Sequence, residues 1–138
     1  MAQSLRSFQG RTGRKNAVNN NVEIKFILSD LFSNLEDNEF DIIVSNPPYI
    51  ETEEIKELAD DVKREPIIAL DGGADGLDFY RKISKGAYRY LKDNGIICFE
   101  IGYNQAKLVS EILVENKYKN ITRYKDYGGN DRVIIAHK

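Results

Sequence analysis

Residues 40–50, FDIIVSNPPYI, carry a strand and its abrupt end. Phe40 to Ser45 is a short, nearly continuous apolar run, the pattern of a strand covered on both faces of its sheet. It stops at Asn46-Pro47-Pro48-Tyr49. Each proline lacks an N–H, so no ladder of hydrogen bonds continues through the pair. A buried strand of this kind belongs in an α/β sheet. Ligands of such sheets bind beyond the carboxyl ends of the strands, which is where Asn46 to Tyr49 stand.

The flanking sequence supports an α/β sheet. Leu77, Tyr80, Ile83 or Ser84, Ala87 and Leu91 recur at helical spacing, with Asp75 as N-cap and Asn94-Gly95 as stop. Gly95 to Gly102 (GIICFEIG) reads as a second buried strand. Asn104 can cap a helix with the stripe Leu108, Val109, Ile112 and Leu113. Ile121 to Tyr127 and Val133 to Ala136 read as strands joined by the turn Gly128 to Asp131, which makes them an antiparallel hairpin. Upstream, Val22, Ile24, Phe26 and Leu28 alternate with Glu23, Lys25, Ile27 and Ser29, a strand pattern. The order strand, strand, helix, strand, helix, strand, strand predicts a largely parallel sheet with a C-terminal hairpin.

Residues 1–21 differ from the rest. They hold Arg6, Arg11, Arg14 and Lys15, no acidic residue, and no period of 2 or 3.6. They read as a poorly ordered N-terminal segment, and residues 22–138 as the folded part. Four positive charges are few for a nucleic-acid arm.

Composition narrows the chemistry. The 138 residues suit one domain, and 41% hydrophobic with 30% charged residues is a globular composition. A net charge of −2 argues against sequence-independent coating of DNA. One cysteine, Cys98, permits no intrachain disulfide, and with one histidine, His137, it makes no zinc site or His-dependent triad. No apolar run approaches the roughly 18 residues of a membrane span. No apolar stretch marks a secretory signal, so the expected location is cytoplasmic. Cys98 reads as an inert core residue. Glu100, which interrupts an apolar strand, either lines a pocket or bonds a backbone N–H. The acidic stretch Glu51 to Asp61 reads as a solvated face, or as a surface for a basic partner.

Asn46 to Tyr49 make a coherent clamp for a planar –NH2 group. The Asn46 side-chain carbonyl accepts one hydrogen and the Pro47 backbone carbonyl the other. The prolines hold that carbonyl in a fixed direction, and Tyr49 offers an aromatic face. Amide and exocyclic nitrogens are poor nucleophiles because their lone pair is delocalised. Two acceptors leave that pair free for an electrophile and stabilise the charge that develops on nitrogen. Methyl transfer from a sulfonium fits, because it needs alignment more than acid–base groups.

SNPPYI (45–50) matches the signature of amino-group methyltransferases that use S-adenosylmethionine. REPIIALDGGADGLDFYR (64–81), SDLF (29–32) and FEIGYNQ (99–105) resemble segments of the release factor glutamine methyltransferases, the HemK/PrmC family, and the resemblance covers residues 14 to 138. It implies a class I methyltransferase (Rossmann-like) fold and N5-methylation of the glutamine in the Gly-Gly-Gln motif of peptide chain release factors. It implies that Asn46 and the Pro47 carbonyl hold the amide, with Asn46 close to the transferred methyl, while Pro48 and Tyr49 shape the pocket. Asp30 and Leu31 would lie at the adenine end of the cofactor, with Leu31 packed on the ring.

The family's catalytic domain has an earlier half that is not matched here. That half carries a glycine-rich loop after the first strand and an acidic residue after the second. RKNAVNNNV (14–22) resembles the end of the helix after that second strand. The implied fold therefore lacks its first two strands, and the chain reads as an inactive fragment with weak or absent cofactor binding. Exposed strand edges would favour self-association. Asp71 to Gly76 (DGGADG) does not replace the loop, because its glycine spacing is wrong and it follows the NPPY strand. Asp71 and Asp75 also lack the spacing of an EF-hand calcium loop.

Two other readings keep part of this pattern. A methyltransferase acting on adenine N6 or guanine N2 would use the same clamp, but needs a base-flipping pocket and a basic strand-binding surface. The balanced charge and residues 64–81 favour glutamine, with no direct nucleic-acid binding. A non-catalytic partner-binding domain is the third reading.

Overall fold

The computed structural model describes residues 2–36, 39–57 and 67–138. The chain forms two compact units, Met1–Glu36 and Asp37–Lys138. No helix among the described residues is long and apolar enough to cross a membrane.

The first unit is a helix, α1 (Ala2–Asn19), followed by irregular chain. A helix thus stands where composition suggests poor order. Ala, Gln, Arg, Leu and Lys are good helix formers, and a helix without an apolar stripe leaves no period to read. Asn21 turns the chain at φ +52°, and the Val22 N–H donates to the Ala17 carbonyl at 3.0 Å. The strand expected over Val22 to Leu28 does not form, and Val22, Ile24, Ile27 and Leu28 are exposed. Alternation supplies two faces but no partner, and an extended segment without a ladder is not a strand. Phe26 instead lies under the Arg14 guanidinium, 4.9 Å from the ring centroid. The folded unit that begins after residue 36 therefore excludes Val22 to Glu36.

The second unit contains β1 (Phe40–Ser45), α2 (Asp78–Tyr90), β2 (Leu91–Glu100), α3 (Ala106–Glu115), β3 (Lys119–Lys125) and β4 (Asp131–His137). Short 3-10 turns cover Glu54–Glu57 and Ile67–Ala69. The sheet order is β1-β2-β4-β3. β1 runs parallel to β2, with Ile43 beside Ile97 and Ser45 beside Phe99. β4 is antiparallel to both β2 and β3. The C-terminal hairpin is present as expected, but the sheet is not largely parallel: one of its three pairings is. The expected strand at 22–28 is absent, and β4 slots between β2 and β3, so both its pairings are antiparallel.

Amphipathic spacing is read correctly along α2: Leu77, Tyr80, Ile83, Ser84, Ala87 and Leu91 are all buried. Asp75 is not the N-cap of α2. Its carboxylate accepts from the Leu77 N–H at 3.1 Å, one residue before the helix begins at Asp78. The helix stops at Tyr90, four residues before Asn94 turns the chain at φ +62°. Gln105, not Asn104, occupies the cap position of α3, and Leu108 is exposed while Ala106 is buried.

Helices α2 and α3 cover one face of the sheet. That face holds Ile97, Phe99, Ile134 and Ala136, each 0% exposed. Phe99 meets Tyr80 edge-on, with ring centroids 5.2 Å apart. The Tyr118 hydroxyl donates to the Ser84 carbonyl at 2.9 Å, tying the end of α3 to α2. Among the described residues, no helix of the second unit covers the other face. There Ile42 and Val44 are 56% and 71% exposed, so β1 is not covered on both faces as its apolar run predicts. Cys98 is half-buried on that face, and burial pushes its thiol pKa up.

Phe99→Ala is expected to cost about 3–5 kcal/mol, because it empties a closed site against Tyr80. Val44→Ser, on the open face, is expected to stay within about 0.5 kcal/mol of the parent. Urea unfolding of the two variants measures the contrast.

Candidate active site

Parallel pairing of β1 with β2 brings their carboxyl ends to one edge of the sheet. Beyond Ser45 the chain cannot pair further, and Asn46 to Tyr49 turn away from the ladder. Pro47 is buried, Pro48 and Tyr49 are half-buried, and Asn46 is exposed. The chain then runs beside residues 70–73. The Ile50 N–H donates to the Leu70 carbonyl at 3.0 Å, the Gly72 N–H to the Ile50 carbonyl at 2.8 Å, and the Thr52 N–H to the Gly73 carbonyl at 3.0 Å. Asp71 locks this strip. Its Oδ1 accepts from the Gly73 N–H at 3.0 Å and from the Thr52 hydroxyl at 2.7 Å.

The two segments enclose a cleft of about 330 Å³ lined by Asn46, Pro47, Pro48, Tyr49, Ile50, Ala69 and Leu70. The four residues of the expected clamp therefore share one cavity. Part of the PIIALDGG stretch forms the facing wall. The lining offers an amide side chain, backbone carbonyls, an aromatic ring and aliphatic surface, which suits a small planar group bearing –NH2. Among the described residues its lining holds no charged side chain.

Asp30 and Leu31, expected at the cofactor's adenine end, stand in the first unit. There the Ser33 N–H donates to the Asp30 carbonyl at 3.0 Å and Leu31 has φ +48°, so the pair forms a tight turn. Residues 58–61 of the acidic stretch and 64–66 of the family-like segment lie outside the described residues. Glu51, Glu53 and Glu54 are exposed next to the cleft loop. Glu100 does not line the cleft, and its backbone carbonyl accepts from the Tyr80 hydroxyl at 2.9 Å. Burial raises the Tyr80 pKa, so that hydroxyl stays protonated and remains a donor. Asp75 faces Arg81 and Asp71 faces Thr52, so neither is free to serve a common ion.

One residue of the site carries no signal in periodicity or charge. Gln105 is 7% exposed and reaches back from the start of α3. Its Oε1 accepts from the Gly102 N–H at 3.0 Å, and its Nε2 donates to the Tyr49 carbonyl at 2.9 Å and the Gly76 carbonyl at 3.4 Å. Gly76 adopts φ +69°, and a Cβ there would collide with the Tyr49 carbonyl and the Gln105 amide. The hint available in sequence is a polar residue in the loop after the second buried strand, FEIGYNQ.

The Gly73 N–H and the Thr52 hydroxyl hold the Asp71 carboxyl below the usual carboxylate range. A depressed carboxyl stabilises the fold above its unfolded pKa of about 4 and loses that contribution as pH falls through the depressed value. The strip 50–52/71–73 is thus expected to persist at pH 4–5 and loosen at lower pH. Amide exchange at Thr52 and Gly73 follows the change. In Asp71→Ala it should be fast across the whole range.

Residues 4–129 match the family model described as Eco57I restriction-modification methylase. A release factor glutamine methyltransferase of Fusobacterium nucleatum subsp. nucleatum is 54% identical over 127 residues, covering 90% of this chain and 36% of that protein. One from Clostridium botulinum is 47% identical over 132 residues, covering 92% of this chain and 47% of that protein. A methyltransferase crystal structure from Pyrococcus furiosus superposes with a TM-score of 0.65 at 20% identity, covering 91% of this chain and 55% of that one. The fold is that of class I methyltransferases. The chain spans between about a third and a half of the length of these curated relatives and matches their C-terminal part. Its sequence is similar to the C-terminal part of release factor glutamine methyltransferases, and the chain belongs to the methylase family of that model.

Proposed function

We propose that this chain forms the acceptor-binding part of a methyltransferase that modifies N5 of a glutamine, the one in the Gly-Gly-Gln motif of peptide chain release factors. The observation that carries this reading is the cleft that gathers Asn46, Pro47, Pro48 and Tyr49 at the carboxyl end of β1. In it the glutamine –NH2 donates one hydrogen to Asn46 Oδ1 and the other to the Pro47 carbonyl. Tyr49 and the aliphatic wall cover the amide plane and keep water from the nitrogen. As the nitrogen becomes positive in the transition state, both acceptors strengthen, which is where the rate gain arises.

S-adenosylmethionine, the methyl donor of the family, supplies a methyl on a sulfonium. The described lining, an amide side chain, backbone carbonyls, a ring and aliphatic surface, fits a carboxamide. Asn46 is the cleft residue nearest in role to the methyl, and Asp30 and Leu31 are assigned to the adenine. On its own, this chain binds the cofactor weakly.

An adenine-N6 or guanine-N2 methyltransferase is the second reading, and the description of the matching family favours it. The exposed Glu51 and Glu54 beside the cleft loop oppose it, since they would repel a phosphate backbone, whereas Glu53 is paired with Lys56.

The test joins this chain to the N-terminal half of a relative and follows labelled methyl from S-adenosylmethionine. Label is expected on release factor glutamine, and Asn46→Ala should lower kcat/KM by about 10²–10³. Label on DNA or RNA and none on release factor overturns the proposal.

β1, the edge strand of the sheet among the described residues, with Ile42 and Val44 exposed, is proposed to pair with a second copy. Light scattering should show dimers at high concentration, and a clean monomer there counts against it.

A further inference from the structure

We infer that Gln105 is a positioning residue that aims the acceptors of the Asn46–Tyr49 loop by holding the Tyr49 carbonyl. The inference rests on reading that loop as an amide clamp. Gln105 and Ser84 are the buried polar side chains among the described residues. A buried amide costs free energy unless its donors and acceptor are all used. Those of Gln105 are. Oε1 accepts from the Gly102 N–H, with the Tyr80 hydroxyl also 3.5 Å away. Nε2 spends its two hydrogens on the Tyr49 and Gly76 carbonyls. A flipped amide would set oxygen against those two carbonyls, so its orientation is determined by its partners.

The placement explains why an amide stands there. The two prolines stiffen the loop before Tyr49, and the strip that starts with the Ile50–Leu70 bond stiffens it after. The Tyr49 carbonyl is the joint between these rigid pieces, and Gln105 is the side chain that grips it. The same amide grips Gly76, at the entrance to α2, and its own loop after β2. Three loops at the sheet's carboxyl edge thus share one neutral anchor. An apolar side chain of equal size would fill the space and leave the Tyr49 and Gly76 carbonyls and the Gly102 N–H without this partner.

The test uses the whole chain, labelled for NMR. In the parent, a coupling through the hydrogen bond between Gln105 Nε2 and the Tyr49 carbonyl carbon is expected. Rapid exchange and averaging of the Gln105 side-chain protons would overturn the proposal without any variant. In Gln105→Glu, an ionised carboxylate cannot donate to Tyr49, whereas the protonated acid can. Signals of residues 45–52 and 76 should therefore broaden or double at neutral pH and recover as pH falls. Signals of β3 and β4 should stay in place. Tyr49, Tyr80, Glu100 and Arg132 are the charged and titratable groups that interact around this network, and the parent over the same pH range accounts for them. A loop unchanged at neutral pH, or changes spread evenly over β3 and β4 with no acid recovery, overturns the inference.

A Gly-Gly-Gln peptide titrated into the parent and the variant adds a second arm. Affinity is expected to fall about tenfold in Gln105→Glu at neutral pH. A parent that ignores the peptide refutes the clamp reading, while the loop signals still decide what Gln105 does.

Discussion

Parallel pairing of β1 with β2 is the constraint on which the rest depends. It sends two chain segments off the sheet at the same edge, one as Asn46 to Tyr49 and the other as Ile101 to Gln105. An antiparallel pair would have put those segments at opposite ends. Gln105 could then never have reached the Tyr49 carbonyl. The crossover between the two strands must return over the sheet, which places α2 on its face and Asp71 to Gly76 beside the first loop. The cleft is the gap left between a segment that cannot pair, because of its prolines, and a segment pinned to it two residues later.

Packing and chemistry are separated in space. The covered face is built from Ile97, Phe99, Ile134 and Ala136 under two helices, with Tyr80 and Tyr118 sending their hydroxyls to backbone carbonyls. Those hydroxyls satisfy polar backbone groups in a dry interior, and neither tyrosine lines the cleft. The polar links that shape the cleft lie at the sheet's edge, where Asp71 and Gln105 each hold a loop from a second direction. A rigid scaffold with adjustable loops at strand ends is how this class of sheet carries its sites.

What could be read from the residues depended on how local the signal was. The NPPY loop, the stripe of α2 and the final hairpin rest on neighbours in the chain: two prolines, a 3.6 period, a glycine turn. Val22 to Leu28 has the alternation of a strand, yet pairing needs a second segment, and none is present within its unit. The direction of the sheet failed for a related reason, since the place of β4 between β2 and β3 is a property of three segments together. Leu108 fits the buried stripe by periodicity, but the start of α3 at Ala106 turns that position outward. Gln105 was visible only as part of a family-like string. Its bonds span 56 residues to Tyr49 and 29 to Gly76, distances over which residue type carries no pattern.

The position of β4 also sets a timetable. β2 and β3 are both made before it, and neither neighbours the other in the finished sheet. As the chain leaves the ribosome, β1, α2, β2 and α3 can assemble in order, while β3 can rest on α3 but has no strand to pair with. The covered face stays open along Phe99 and Ile97 until Ile134 and Ala136 arrive to fill it. A pause or a nick before Asp131 would leave β3 without its ladder and one edge of β2 bare, a state that chaperones and proteases recognise.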